Sequence, residues 1–310
     1  MMQWTKLGLI VVPGRYPWIV THAQNPFAEH VHDDLFRVHF AGRDELNRAR
    51  GGCATIDLKA GATVVEFREA PTLDLGDLGC FDDCGVMPSC IVNHRGRRYM
   101  YYTGWTQARA TPFSFFIGLA EEKNGSWSRV SKAPVLGRNF HDPYLTASPW
   151  VVVEDGLWRM WYVSGTGWKA DPTGGKPMHF YHIRYAESRD GVEWRPDGRI
   201  CIDFRRDEYA IARPVIHREG GIYTMWYCYR GGADTYRAGY AESSDGLTWE
   251  RKDGLVGLDV SESGWDSEMI CYPFVFRHAG REYMLYNGNG YGRTGTALAV
   301  RESPAAGIGR

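Results

Sequence analysis

What the chain lacks narrows its class. No run approaches the roughly 18 apolar residues needed to cross a bilayer, so no membrane partner is expected. The opening Met1-Met2-Gln3-Trp4-Thr5-Lys6 is not a basic segment followed by an apolar one, so no secretory signal is read there. An excess of either charge is also missing. The 36 Lys and Arg face 37 Asp and Glu, for a formal net charge of -1, which argues against a dedicated nucleic-acid surface. No Walker or Rossmann pattern occurs, so no nucleotide cofactor is expected, and no metal is expected either. The 7 cysteines are an odd number and form no Cys-x-x-Cys pair. Cys80 and Cys84, the nearest pair, have no third and fourth ligand at zinc spacing. Reduced thiols in a cytoplasmic protein are the expected state.

What the chain has is aromatic residues, 14% of 310, placed mostly in short alternating runs. Alternation of period two between Gly and Asp-Gly turns is the hairpin pattern, so the expected class is all-β. The stretch from Glu208 to Glu250 shows it best. An apolar strand runs to a Gly turn, the second strand is Ile222-Tyr-Thr-Met-Trp-Tyr-Cys-Tyr229, and a third strand reaches the Asp245-Gly246 turn and Trp249.

Aligned on proline, the whole chain becomes variants of that unit. Pro26, Pro88, Pro149, Pro214 and Pro273 recur at steps of about 60 residues, a period that suits propeller blades with insertions. Each is followed by an apolar strand, a polar turn and an aromatic strand such as Tyr99-Met-Tyr-Tyr-Thr-Gly-Trp105. Trp127, Trp194 and Trp249 open fourth strands. The fifth unit has none, and Trp4-Thr-Lys-Leu-Gly-Leu-Ile-Val matches the missing piece. The sequence therefore predicts a single five-bladed β-propeller over residues 1–310. Each blade has four antiparallel strands, and residues 3–12 complete the last and remove an open edge. The segment from Trp168 to His179 reads as an insertion at the ligand face.

In such a ring the segments entering each first strand, and the loops after each second strand, share one face. The entering segments carry acids at similar distances before their prolines: Asp82 and Asp83, Asp142, Glu208 and Glu268. They also carry His22, Asn25 and His141. The loops and strands beside them add Arg37, Arg43, Trp105, Trp168, Arg213, Arg230, Asn287 and Asn289. Converging carboxylates with aromatic platforms suit glycosidic chemistry, in which one carboxyl donates a proton while another stays ionised. Each acid also has a bland reading as a turn cap or ion-pair partner; Arg205 and Arg206 stand beside Glu208.

The blade count, the funnel acids and the repeated Ala-Glu-Ser-x-Asp-Gly-x-x-Trp element (Ala186 to Trp194, Ala241 to Trp249) resemble the five-bladed propeller glycosidases, families 32, 43, 62, 68 and 130. Within them, His22-Ala-Gln-Asn-Pro, Phe81-Asp-Asp-Cys-Gly-Val-Met-Pro-Ser and Asn287-Gly-Asn-Gly-Tyr-Gly resemble a group associated with surface-polysaccharide or glycoconjugate synthesis. The resemblance implies Glu208 as general acid and Asp142 as the residue that positions substrate. It also implies a first-blade Asp as nucleophile or base, where this chain has His22 and Asn25. Asp82, Asp83 or Glu268 would then have to take that role. Three functions follow as expectations: a glycosidase; an enzyme of phosphorolysis or of phosphorylated or nucleotide-linked sugars; or a sugar-binding propeller without catalysis. In each the partner is a small sugar, glycoside or sugar phosphate.

Overall fold

Apolar and polar side chains alternate between tight turns, and the chain folds as successive antiparallel meanders. The computed structural model describes residues 1–232 and 235–302. After β1 (Thr5–Val11), the first meander is β2 (Thr21–His32), β3 (Leu35–Arg43), β4 (Ala49–Asp57) and β5 (Thr63–Phe67). The second is β6 (Gly85–His94), β7 (Arg97–Thr106), β8 (Ser114–Lys123) and β9 (Ser126–Arg129). The third is β10 (Thr146–Glu154), β11 (Leu157–Lys169), β12 (Met178–Ser188) and β13 (Arg195–Ile202). The fourth is β14 (Glu208–Glu219), β15 (Ile222–Gly231), β16 (Arg237–Ser243) and the short β17 (Glu250–Arg251). The last is β18 (Cys271–His278), β19 (Arg281–Asn287) and β20 (Thr296–Glu302). Here β1 pairs antiparallel with β20 as the fourth strand. Trp4 holds that closure by donating its indole N–H to the Val256 carbonyl at 2.8 Å.

The first strands of consecutive meanders touch one another, and β18 also touches β2. The proline repeat marks a bulge in each of these strands, where the pairing register shifts. In four of five units the residue just before the proline has positive φ: Asn25, Ser148, Arg213 and Tyr272. That conformation is disfavoured before proline and for branched or bulky residues, so packing must hold it. It turns side chains toward the middle, where Asn25, Met87, Ser148 and Tyr272 line one cavity.

The repeated Ser-x-Asp-Gly element is a joint between meanders. Asp190 accepts the N–H groups of Val192 and Glu193, both at 2.9 Å, and Asp245 does the same for Leu247 and Thr248. The glycine carbonyls then face the preceding unit. Tyr101 donates to Gly191 at 2.6 Å and Trp161 donates to Gly246 at 2.8 Å. Gly191 has φ of 75° and a Cβ there would sit 2.7 Å from the Tyr101 hydroxyl, so both conformation and space require glycine. All 7 cysteines are free thiols. No helix among the described residues is long and apolar enough to cross a membrane.

Candidate functional site

The bulges, the exits of β3 and β15, and the long β11–β12 hairpin surround a cavity of about 600 Å³. One wall is aromatic. Phe113 and Phe115 stack with centroids 4.2 Å apart, Phe113 meets Trp168 at 5.3 Å, and His179 bridges Trp168 at 4.9 Å to Tyr181 at 5.0 Å. Trp168 and His179 face each other in register across the hairpin, so the insertion read from the sequence does form cavity wall.

The facing wall is polar. Arg43 donates through Nη1 to Asn47 Oδ1 and through Nη2 to Gln24 Oε1, both at 2.9 Å. Arg230 donates to the hydroxyls of Tyr291 at 3.1 Å and Tyr181 at 3.3 Å. Its guanidinium carbon lies 4.9 Å from the Tyr236 ring and 5.0 Å from the Tyr209 ring, within cation–π range. Asn25 Oδ1, Arg43 Nε and Arg230 Nε are buried atoms without a protein partner. Buried polar atoms are seldom left unpaired, and all three belong to residues that line this cavity.

The structure brings five of the sequence-selected residues to this cavity: Asn25, Arg43, Trp105, Trp168 and Arg230. The acids are elsewhere, and no aspartate or glutamate among the described residues lines it. Asp82 is fully buried, accepting from the Tyr102 hydroxyl at 3.0 Å and Arg129 Nε at 2.7 Å. Asp142, also fully buried, accepts from Tyr162 at 2.8 Å and Asn139 Nδ2 at 2.8 Å, with Arg184 at 3.4 Å. Asp266 repeats the arrangement with Tyr286 at 3.3 Å and Lys6 at 2.7 Å. In all three the tyrosine follows the acid by 20 residues. In three of the five meanders the acid ahead of the proline is thus part of a repeated clasp, held between a second-strand tyrosine and a base from the third or fourth strand. Burial, then the adjacent carboxylate, pushes the Tyr102 and Tyr162 hydroxyls far above the usual phenol value, so both stay protonated donors.

Glu208 forms a two-pronged ion pair with Arg251, at 2.6 and 2.9 Å. Asp83 is half-buried and accepts from the Gly79 N–H at 2.9 Å. Glu268 is exposed, and its backbone N–H donates to Asn289 Oδ1 at 2.8 Å. Asn289 also donates to the Gly264 carbonyl at 3.0 Å, so it stitches loops. Asn287, fully buried, accepts from the Asn25 N–H at 3.0 Å and donates to Ala23 and Gly295 carbonyls. His22 holds the same loop through Gly290 at 3.1 Å. His141 sits in the Asp142 turn, which Asn139 caps by accepting the backbone N–H groups of His141 at 2.8 Å and Asp142 at 3.1 Å on its Oδ1. Arg37 lines a separate cleft of about 230 Å³ between the first two meanders. Arg213, fully buried among the first strands, donates to the carbonyls of Ser89 at 2.9 Å and Pro26 at 3.3 Å.

The sequence reading passed over Gln24, Asn47, Phe113, Phe115, Tyr181, Tyr209 and Tyr236. It also passed over Met87, Ser148 and Tyr272, for which the position just before each proline was the available signal, because the bulge aims it inward. The aromatic density of the Phe113–Phe116 segment, outside any paired turn, was another.

Burial first, then Arg43, lowers His22 from 6.5 to about 4. Burial first, then Arg230, lowers His179 from 6.5 to about 4. Both imidazoles are therefore neutral at neutral pH. The folded values lie below the unfolded one, so between pH 6.5 and 4 the unfolded chain binds more protons. Stability is expected to fall as pH drops through that window, by about 1–3 kcal/mol for each histidine. Urea midpoints measured from pH 7 to pH 4 check this, and a flat profile would contradict it.

The fold is that of the propeller-type glycoside hydrolases. A solved "glycoside hydrolase" superposes over 100% of this chain and 96% of its own, with TM-score 0.75 and 17% identity. A thermostable family-43 glycoside hydrolase gives TM-score 0.65 and 17% identity over 94% of this chain and 92% of its own. An exo-1,5-alpha-L-arabinanase from a bovine ruminal metagenomic library gives 0.59 and 16% over 91% and 93%. No protein-family profile matches the chain. By sequence, the chain belongs to the family of "Uncharacterized protein Rv1502" of Mycobacterium tuberculosis H37Rv. The two are 43% identical over 305 residues, 97% of this chain and 100% of the relative. The corresponding protein of strain CDC 1551, MT1551, matches equally.

Proposed function

We propose that residues 1–310 form a single five-bladed β-propeller that binds a carbohydrate in its central cavity, without two-carboxylate glycoside hydrolysis. Five meanders, first strands in mutual contact, and the likeness to propeller-type glycoside hydrolases support the architecture. One observation carries the functional reading: the cavity sets an aromatic wall against amide and guanidinium donors and holds no acid among the described residues. Aromatic faces cover the apolar C–H face of a sugar ring, while amides and guanidiniums reach its hydroxyls. Hydrolysis needs two carboxyls about 5–9.5 Å apart across the scissile bond, and Asp82, Asp142 and Glu208 are engaged in ion pairs away from the cavity.

The test is titration calorimetry with a panel of mono- and oligosaccharides, beside assays on aryl glycosides of the same sugars. Saturable binding with no release of aryl alcohol above the buffer rate is expected. Hydrolysis that disappears in a folded Glu208→Gln variant would overturn the reading and restore Glu208 as general acid.

A further inference from the structure

Three partly buried arginines of this chain meet acids: Arg251 meets Glu208 at 2.6 Å, Arg159 meets Glu154 at 2.9 Å and Arg98 meets Glu29 at 2.7 Å. The two cavity arginines differ. Arg43 and Arg230 line the cavity, and neither forms an ion pair among the described residues. Their terminal nitrogens are held by neutral oxygens, from Gln24 and Asn47 in one case and Tyr181 and Tyr291 in the other. In both, Nε is buried and unpartnered. Both leave second strands, β3 and β15, at corresponding points of their meanders. Tyr291 joins them, as it accepts from Arg230 and lies within electrostatic reach of Arg43. Below the floor, Arg213 adds a third guanidinium whose described partners are the Ser89 and Pro26 carbonyls. Among the described residues the cavity is therefore a local concentration of positive charge without an acidic partner, in a chain of net charge -1.

Two guanidiniums fixed by neutral partners, in a site of reduced dielectric, are arranged for an anion. Charge-assisted hydrogen bonds to carboxylate or phosphate are about twice as strong as neutral ones. An uncompensated buried charge gains most when its counter-charge arrives. A neutral sugar would leave that charge unmatched. We propose that the ligand is an acidic carbohydrate, a uronic acid or a phosphorylated sugar, with its negative group between Arg43 and Arg230 beside Tyr291. Its ring lies on the Phe113, Trp168 and His179 wall. This rests on the carbohydrate reading above and specifies its ligand class.

The experiment is calorimetry at low and at physiological salt with neutral hexoses, their uronic acids, their 6-phosphates and inorganic phosphate. Wild type is compared with Arg43→Gln and Arg230→Gln. Acidic sugars are expected to bind about tenfold to a hundredfold more tightly than the neutral parents. That advantage should shrink with added salt and disappear in either variant. The uronic-acid and phosphate arms show which anion the site takes. Neutral hexoses binding as well as acidic ones would overturn this proposal and leave the carbohydrate reading standing. Inorganic phosphate binding as tightly as the hexose phosphates would keep the anion site and remove the sugar. No binding by any of the four would overturn both. If Arg230→Gln fails to fold, Arg43→Gln carries the test, because it leaves the tyrosines around Arg230 untouched.

Discussion

Asp82→Ala is expected to lower the free energy of unfolding by about 3–5 kcal/mol. The carboxylate is fully buried, and the Arg129 nitrogen it pairs with at 2.7 Å is largely buried too. Its removal strands a guanidinium and the Tyr102 hydroxyl together, and breaking a buried pair from one side costs more than the pair itself contributes. The surroundings are shaped to the acid. A Cβ on Gly76 would stand 1.9 Å from Asp82 Oδ1, so even the adjoining loop is cut to fit it. Tyr102→Phe removes one hydroxyl donor to the carboxylate and should cost less, about 1.5–3 kcal/mol. Urea unfolding of both variants measures the difference. Asp82→Ala with wild-type stability would mean that the clasp holds nothing together, and would return Asp82 to the catalytic candidates.

This clasp also shows where the sequence stopped being informative. Asp82, Asp142 and Asp266 each lie a few residues before a proline and 20 before a tyrosine. An acid at that spacing is equally compatible with a funnel and with a tyrosine partner. What decides is the third member, Arg129, Arg184 or Lys6, and that comes from β9, β12 or β1, at no common separation. The proline period, the aromatic second strands, the Ser-x-Asp-Gly joints and the pairing of Trp4-to-Val11 with the last strand were all legible. Each is carried by local pattern or by one obvious gap. Site residues contributed by insertions were partly legible. Trp168 and the following segment stand out as surplus against the repeat. Tyr209, Tyr236 and Tyr272 look like the core tyrosines around them until the bulges set their direction. Among the selected arginines, Arg43 and Arg230 stand at the ends of second strands and line the cavity, whereas Arg37 sits in the middle of one and lines the other cleft.

Trp168→Ala is expected to weaken sugar binding by about thirtyfold, or about 2 kcal/mol, while changing stability by less than about 1 kcal/mol. The β11–β12 hairpin makes the asymmetry physical. β11 runs 13 residues and β12 runs 11, so the pair extends beyond the 9-residue β3 and β4 of the first meander. The extension carries Trp168, Lys176, Pro177, Met178 and His179 to the cavity. Its tip is exposed, and Asp171 caps the turn by accepting the Thr173 N–H at 2.8 Å. Few core contacts depend on it, whereas the aromatic wall depends on it wholly: Trp168 touches Phe113 and His179, and through them Phe115 and Tyr181. Replacing residues 168–179 by Asn-Gly, a two-residue turn that suits a hairpin, closes the strands at the Gly167–Phe180 pair and removes the upper wall, Trp168 and His179 included. It should cost at least as much affinity as the single substitution. Calorimetry with the best ligand of the panel, beside thermal unfolding, reads both quantities. Unchanged affinity in the folded truncation would place the sugar away from this wall. The site would then reduce to the guanidinium side alone, which binds anions without needing a ring to stack.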